Sequence, residues 1–316
     1  MKNNRTVALV SSPFQTLCAL KAIDEFGCGV TEFYTVEDKQ NTPKIRLLLS
    51  DYGYNLSVIQ QSSNIFHWYL DNKKRDRYET LIVGDIFSFP LLILTSIFAK
   101  RKSQVIYVDD GNSTLSINVG LMPDYIYDFK WKLVLFICKL KQISRRLFTM
   151  YPIEKYDDMP IVRYSPLTLI NNNTQIEPKG VFIIGTNTSA LNADTKKYKT
   201  TLRQIYNYYY EREPVYYCPH RRDLNVYDDF CSNNGLIVYD TKVSVEYDFI
   251  KSKQYPKVII GFGSTALYTL KKMFPQSEIY NINMERNNYR IAKIYDYIAG
   301  LYENEGITNC KMDKWK

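Results

Sequence analysis

Four short polar turns contain the residues that could bind a ligand or move a proton. They are Asp109-Asp110-Gly111, Gly185-Thr186-Asn187, Pro219-His220-Arg221 and Gly263-Ser264-Thr265. Aspartate can remove a proton, histidine can donate one, and hydroxyls and backbone N–H groups can hold an anion. Each turn follows an apolar run with the pattern of a β-strand. Ligands bind at the carboxyl ends of strands in open parallel sheets, so this shared position indicates ligand binding at that edge.

His220 is one of two histidines in the chain, and it ends an apolar run. Its imidazole could hydrogen-bond a phosphate or donate a proton to a departing one. Arg221 or Arg222 could add charge-assisted contacts, although charged residues are also common in surface turns. His67, beside Trp68, has no such setting, and we expect a packed or surface residue there.

Gly263-Ser264-Thr265 lies where a helix is predicted to begin, over residues 266–273. Glycine allows close backbone approach, and a helix start offers N–H groups and a positive dipole end to an anion. No Gly-Lys-Ser/Thr follows, so this is not a Walker loop. An ordinary serine helix cap explains the pattern equally well.

Asp109 and Asp110 could supply a general base for a sugar hydroxyl, or ligands for a metal. Neighbouring residues on a strand point in opposite directions, so only one of the two is expected to face a cleft. An Asp-Gly turn without function is the alternative, because such turns are common.

Apolar runs alternate with helical patterns in both halves of the chain, which predicts parallel sheets with helices on both faces. Predicted strands of the first half are 6–10, 32–36, 56–59, 80–84 and 105–108. Those of the second half are 181–184, 214–217, 236–239, 258–260 and 279–282. We therefore predict an α/β domain over 1–111, an irregular connecting region over 112–179, and a second α/β domain over 180–316.

The connecting region contains a stretch, 128–150, that we predict to be one long basic helix. Lysines and arginines alternate there with apolar residues, including Trp131. Such a helix can lie on an anionic membrane surface. Alternatively, it packs on its own domain or on a second subunit, with a solvated basic face.

The formal net charge is +8. This charge suits a phosphorylated substrate, an anionic membrane or nucleic acid, but no RNA-binding signature, zinc-finger spacing or basic tail supports the last. Six scattered cysteines and two histidines make a metal site hard to build, and the thiols are expected to be reduced.

The first apolar run is too short for a signal peptide, and no run approaches the length of a membrane span. We therefore expect a cytoplasmic protein, at most peripheral on the inner face of the membrane.

Together these turns resemble those of the bacterial lipooligosaccharide sialyltransferases, glycosyltransferase family 52, and especially the capsular sialyltransferases of that family. The resemblance covers most of the chain and depends on the order and spacing of its blocks. These are Ser11-Ser12-Pro13-Phe14-Gln15, Tyr107-Val108-Asp109-Asp110-Gly111, Gly185-Thr186, Cys218-Pro219-His220-Arg221 and Gly263-Ser264-Thr265-Ala266-Leu267, followed by Phe274-Pro275.

The resemblance implies a GT-B-like fold, with two Rossmann-type domains, the first on the acceptor side, and a cleft between them. It also implies CMP-sialic acid as donor, transfer with inversion, no required metal or other cofactor, and a homodimer formed through the middle region. By likeness, His220 would hold the CMP phosphate and assist its departure, while Ser264 and Thr265 bind the same phosphate. Gly185-Thr186 would lie against the cytidine. Asn187, Pro219, Arg221 and Gly263 complete the predicted donor-binding set.

Two departures from the family pattern affect the predicted site. The histidine motif is usually His-Pro, whereas here Pro219 precedes His220. Relatives carry an aspartate after the second-domain glycine turn, proposed as the base, but the matching position is about Thr188 and the next acid is Asp194. We therefore assign the base to Asp110 or Asp109.

The function that we expect is transfer of sialic acid from CMP-sialic acid to a terminal sugar, which we expect to be galactose. The acceptor would be a bacterial capsule or lipooligosaccharide glycan, free or lipid-linked. Two alternatives remain open: a related glycosyltransferase that uses another nucleotide-sugar, and a non-catalytic subunit that binds nucleotide-sugars for assembly.

Overall fold

The chain divides into two compact units, which are described separately. A computed structural model describes residues 5–60, 77–121, 124–166, 177–188, 194–220, 227–252, 254–284, 289–312 and 315. The first unit is Met1–Tyr164 and the second is Ser165–Lys316.

A parallel sheet of seven strands forms the centre of the first unit. The strands are β1 (Thr6–Leu9), β2 (Thr31–Val36), β3 (Leu56–Ile59), β4 (Tyr78–Val83), β5 (Ala99–Val108), β6 (Ser144–Thr149) and β7 (Ile161–Arg163). They lie in the order β3-β2-β1-β4-β5-β6-β7, and each neighbouring pair is parallel. The strand order reverses between β1 and β4, which is where an open α/β sheet binds its ligand.

The helices of the first unit connect these strands. They are α1 (Pro13–Glu25), α2 (Asn41–Asp51), α3 (Phe89–Phe98), the short α4 (Asn112–Leu115) and α5 (Phe129–Leu140), with a 3-10 turn at Asp124–Tyr127. Helix α1 begins with proline in its first turn, and the Ser12 hydroxyl accepts from the Gln15 N–H. The cap fixes where α1 leaves the sheet, and so places Gln15 at its carboxyl edge.

The prediction of one helix over 128–150 is wrong. Helix α5 ends at Leu140, and Gln142 adopts a φ of 54°, which a helix cannot continue. The chain then enters the sheet as β6, where Leu147 and Phe148 are buried. Residues 112–164, which we expected to be a connecting region, thus contribute two strands to the first sheet.

The second unit contains a parallel sheet of six strands. They are β8 (Glu177–Ile184), β9 (Val215–Cys218), β10 (Ile237–Val238), β11 (Gln254–Gly261), β12 (Glu278–Ile282) and β13 (Thr308–Cys310). The order is β10-β9-β8-β11-β12-β13, again parallel throughout. This is the strand order 3-2-1-4-5-6 of the dinucleotide-binding fold, with the reversal between β8 and β11.

Five helices accompany this sheet. They are α6 (Thr195–Tyr209), α7 (Asp228–Asn233), α8 (Val245–Ser252), α9 (Ala266–Met273) and α10 (Tyr289–Asn304). The inward faces of the strands and α6 form one core, in which Tyr198, Leu202 and Ile205 are fully buried against Val181 and Ile260. Burial of each such side chain stabilises the fold by about 1.5–3 kcal/mol.

All six cysteines are free thiols, and five of them are buried. This arrangement agrees with the expectation of reduced thiols. Within the described ranges, no helix is long and apolar enough to cross a membrane.

Candidate functional site

At the strand-order reversal of the first sheet, a side chain from α1 reaches the Asp-Asp-Gly turn that follows β5. Gln15 lies in the first turn of α1 and is buried, and its Nε2 donates to Asp110 Oδ1 over 2.6 Å. Strand β4 lies between β1 and β5, so the Gln15 side chain crosses the end of β4. Gly84 directly follows β4, and a Cβ atom there would stand 2.3 Å from Gln15 Oε1. The contact therefore requires glycine at position 84.

The other end of the Gln15 amide is held by Ser11. Gln15 Oε1 accepts from the Ser11 N–H at 2.7 Å and from the Ser11 hydroxyl at 3.0 Å. An amide oxygen engaged by two donors leaves the NH₂ group to face the carboxylate. The Ser11–Gln15 block thus orients a donor toward Asp110.

Asp110 is only partly buried, and three groups fix its position. Its backbone N–H donates to Thr114 Oγ1 at 2.9 Å, its carboxylate accepts from Gln15, and Gly111 turns the chain with a φ of 60°. A carboxylate in this setting is held in place and still reaches solvent. It can therefore accept a proton from a bound hydroxyl.

Asp109 is fully buried and has a different environment from its neighbour. Its carboxylate accepts from the Thr149 hydroxyl at 2.5 Å, the Met150 N–H at 2.8 Å and the Tyr164 hydroxyl at 3.2 Å. Burial raises the pKa of Asp109 to about 7, although these three hydrogen bonds act in the opposite direction. The two carboxylates have different partners, and Asp110 is the one that is partly exposed.

In the second unit, the glycine turn after β8 lies against the histidine turn after β9. The Gly185 N–H donates to the Cys218 carbonyl at 2.8 Å. A Cβ atom on Gly185 would lie 2.9 Å from both that carbonyl oxygen and the His220 nitrogen. The absence of a side chain at Gly185 therefore brings these two turns into contact. Both turns follow neighbouring strands, and β8 borders the strand-order reversal.

The remaining donor-binding candidates differ in exposure. Thr186 is buried, whereas Asn187, Pro219 and His220 are partly exposed at the same edge. Arg221 lies outside the described residues, so its predicted contact with phosphate stays a prediction, as does the packing of His67.

The turn after β11 is fixed by an asparagine that the sequence did not single out. The Gly263 N–H donates to Asn281 Oδ1 at 2.8 Å, and Gly263 has a φ of 75°. Asn281 is buried at the end of β12, and its Nδ2 donates to Asn283 and Asn309 at 2.9 and 2.8 Å. This amide network holds the glycine turn in a conformation that residues with side chains rarely adopt.

Ser264 and Thr265 lead from that turn into α9, and both are partly exposed. Ser264 accepts the Tyr302 hydroxyl through its carbonyl oxygen at 2.6 Å. Thr265 immediately precedes the helix and makes no side-chain capping hydrogen bond to it. A capping role thus does not account for the Thr265 hydroxyl, and the arrangement suits an anion at the helix start.

Thr188 and Asp194 occupy the part of the second unit where the resembled family carries an aspartate. Thr188 is buried, and its hydroxyl lies 2.7 Å from that of Tyr227. Asp194 caps α6, since its Oδ1 accepts from the N–H groups of Lys196 and Lys197 at 2.9 and 3.0 Å. Both residues therefore make contacts within their own unit.

No family model matches the chain, and no curated protein matches it. Solved structures do. An α/β-galactoside α-2,3-sialyltransferase from Photobacterium phosphoreum is 10% identical, with a TM-score of 0.60 over 98% of this chain and 99% of that one. A 2,6-sialyltransferase from another Photobacterium, in a complex with CMP and lactose, is 11% identical, with a TM-score of 0.58 over 96% and 78%.

A putative UDP-N-acetylglucosamine 2-epimerase from Listeria monocytogenes is also similar. It is 8% identical, with a TM-score of 0.55 over 93% of this chain and 82% of that one. At such identities the likeness shows the fold, which is the predicted GT-B fold with two Rossmann-type units. The reaction has to be argued from the site, because proteins of different activity share this fold.

Proposed function

We propose that this protein is an inverting glycosyltransferase that moves sialic acid from CMP-sialic acid to the terminal galactose of a bacterial capsule or lipooligosaccharide glycan. The observation that carries the proposal is the close approach of the Gly185 and His220 backbones at the carboxyl edge of β8 and β9, where a Cβ atom on Gly185 would lie 2.9 Å from the His220 nitrogen. His220 follows the carboxyl end of β9, and nucleotides bind at the carboxyl edge of such sheets, which supports a role for its imidazole. The fold shared with two sialyltransferases supports the same assignment.

Transfer requires that one bond to the anomeric carbon of sialic acid breaks while another forms. The acceptor hydroxyl gives its proton to Asp110, and its oxygen bonds to that carbon from the face opposite the leaving group. The bond from the carbon to the phosphate oxygen of CMP breaks, and its electron pair stays on the phosphate. One displacement inverts the configuration.

The second unit supplies what the departing CMP needs. His220 hydrogen-bonds the phosphate and donates a proton to it as negative charge develops there. The hydroxyls of Ser264 and Thr265, at the start of α9, hold the same phosphate. Gly185, Thr186 and Asn187 lie against the cytidine. Because these residues stabilise the negative charge on the departing phosphate, we propose that no metal or other cofactor takes part.

The assay that tests the proposal offers the purified protein CMP-sialic acid and a galactose-terminated acceptor. Transfer of sialic acid to the acceptor supports it. Turnover of a UDP-sugar without use of CMP-sialic acid would instead establish a related glycosyltransferase. Full glycan production in cells that carry His220→Ala and Asp110→Ala would indicate a non-catalytic assembly subunit.

We further propose a cytoplasmic site of action, since six free thiols fit a reducing compartment. The homodimer implied by the family resemblance stays a prediction, and sedimentation of the full chain over a range of concentrations tests it.

A further inference from the structure

Helix α5 exposes an unusual number of apolar side chains on one face. Its twelve residues extend over about 18 Å. The exposed apolar members, which we call the α5 stripe, are Phe129 (78% exposed), Leu133 (47%), Phe136 (55%), Ile137 (37%) and Leu140 (63%). Their spacing of four, seven, eight and eleven residues from the first places them on one face. Contiguous exposed apolar surface of this kind marks an interaction site.

The opposite face of α5 is already used for packing within the first unit. Trp131 and Cys138 are buried and form one apolar cluster with Leu92 of α3. The ring of Trp131 stacks on Phe89, with centroids 6.0 Å apart. One face of the helix therefore packs on the first unit, and the α5 stripe on the other face is exposed to solvent.

Exposed lysines predominate beside the α5 stripe, and the exposed Asp128 lies directly before the helix. Lys130, Lys132 and Lys139 are exposed, and the sequence of α5 contains neither aspartate nor glutamate. If the stripe paired with a second copy of itself across a two-fold axis, the three lysines of each copy would meet those of the other. The adjacent Asp128 of each copy could offset the charge of only one of them. An anionic surface offers those lysines a counter-charge. The charges therefore favour lipid phosphate over a second copy of this chain.

We propose that α5 binds in the plane of an anionic lipid bilayer. The α5 stripe inserts at the boundary between headgroups and acyl chains, and the three lysines contact lipid phosphates. Each lysine near such a surface strengthens binding about fivefold, so three contribute on the order of 100-fold. This interaction is independent of the donor or acceptor that the enzyme uses.

Co-sedimentation of the full chain with lipid vesicles tests the proposal. We expect binding to vesicles of phosphatidylglycerol and phosphatidylcholine, weakened by salt, and little binding to phosphatidylcholine alone. The triple variant Leu133→Ser, Phe136→Ser, Leu140→Ser should lose that binding. The side chains are exposed, so the variant should keep the thermal unfolding of the parent. Its matched control is Val30→Ser with Leu47→Ser, two apolar residues exposed elsewhere.

A second set of variants separates charge from apolar contact. Reversal of the three α5 lysines to glutamate should weaken binding by at least about 100-fold. The same reversal at Lys39, Lys155 and Lys196, which are exposed outside α5, should change it far less. Equal binding to both kinds of vesicle, or unchanged binding of the serine triple variant, would overturn the proposal. A dimer in solution that the serine variant abolishes would also overturn it, in favour of a second copy.

Discussion

The Gln15 Nε2 donates to Asp110 Oδ1 over 2.6 Å, although the two residues are 95 positions apart in the chain. The contact joins the first turn of α1 to the end of β5 and crosses β4 at Gly84. It makes the position of the proposed base depend on a buried amide rather than on the Asp-Gly turn alone. Three residues of the first unit, Gln15, Gly84 and Asp110, therefore act together.

Asp110→Asn should lower the rate of sugar transfer by roughly 100- to 10,000-fold, because the acceptor hydroxyl loses its proton acceptor. Donor binding to the second unit should not change. The measurement is turnover under saturating donor and acceptor, with Asp158→Asn, an exposed aspartate of the same unit, as the control. Near-normal turnover of Asp110→Asn would place the base elsewhere.

Gly84→Ala should lower the transfer rate without weakening CMP binding. The new Cβ would stand 2.3 Å from Gln15 Oε1, so the amide must move away from Asp110. Gln15→Leu should reproduce the effect, and the double variant should be no worse than the more damaging single one, because both break one contact. Gly300→Ala is the control, since nothing lies within 4 Å of a Cβ there. If the losses of transfer rate in the two single variants add up in the double variant, Gly84 and Gln15 do not act through one contact.

Gly185→Ala should weaken CMP binding, which calorimetry measures directly. The added methyl group would press on the backbone of Cys218 and His220, at 2.9 Å from each. Because strand backbone cannot move aside as a flexible side chain can, the histidine turn should shift. His220→Ala should weaken CMP binding as well and also slow transfer. If Gly185→Ala binds CMP like the parent, Gly185 and His220 do not form the donor site.

The turns that bear the proposed chemistry could be located from the sequence, because each follows a clear apolar strand. The contacts that orient them could not. Gln15 resembles any polar residue early in a helix, and only the strand order reveals that it faces Asp110. Asn281 was missed for the same reason, since its partner Gly263 belongs to the neighbouring strand's turn.

The error over 128–150 has a local cause. The apolar residues of α5 and those of β6 are separated by only a few polar ones, so the pattern predicts one continuous helix. The positive φ of Gln142 is not encoded by a glycine or proline that would mark the break. The two edge strands β7 and β13 are three residues long, too short for a periodic signal.

The buried Asp109 should make stability depend on pH. Folding raises its pKa from the ordinary 3.8 to about 7, so the folded state holds the proton more tightly. The free energy of unfolding should therefore fall as pH rises from about 4 to 7, by roughly 4 kcal/mol from this group. Denaturant unfolding of the full chain at several pH values measures it. In Asp109→Asn the free energy of unfolding should fall less over this pH range. If it falls as much as in the parent, Asp109 is not the group responsible.

Removal of divalent metal should leave transfer intact. His220, Ser264 and Thr265 are proposed to stabilise the departing phosphate without an ion. Turnover should be the same after dialysis against EDTA as before it. A loss of activity that added Mg²⁺ or Mn²⁺ restores would show that a cation assists the leaving group.

The most direct test of the central claim is a transfer assay with CMP-sialic acid and a galactose-terminated acceptor, run on the parent, His220→Ala and Asp110→Asn. The parent should form sialylated product with inverted configuration and release CMP, and both variants should lose most of that activity while they stay folded. A parent that does not use CMP-sialic acid, or variants that transfer at the parental rate, would contradict it.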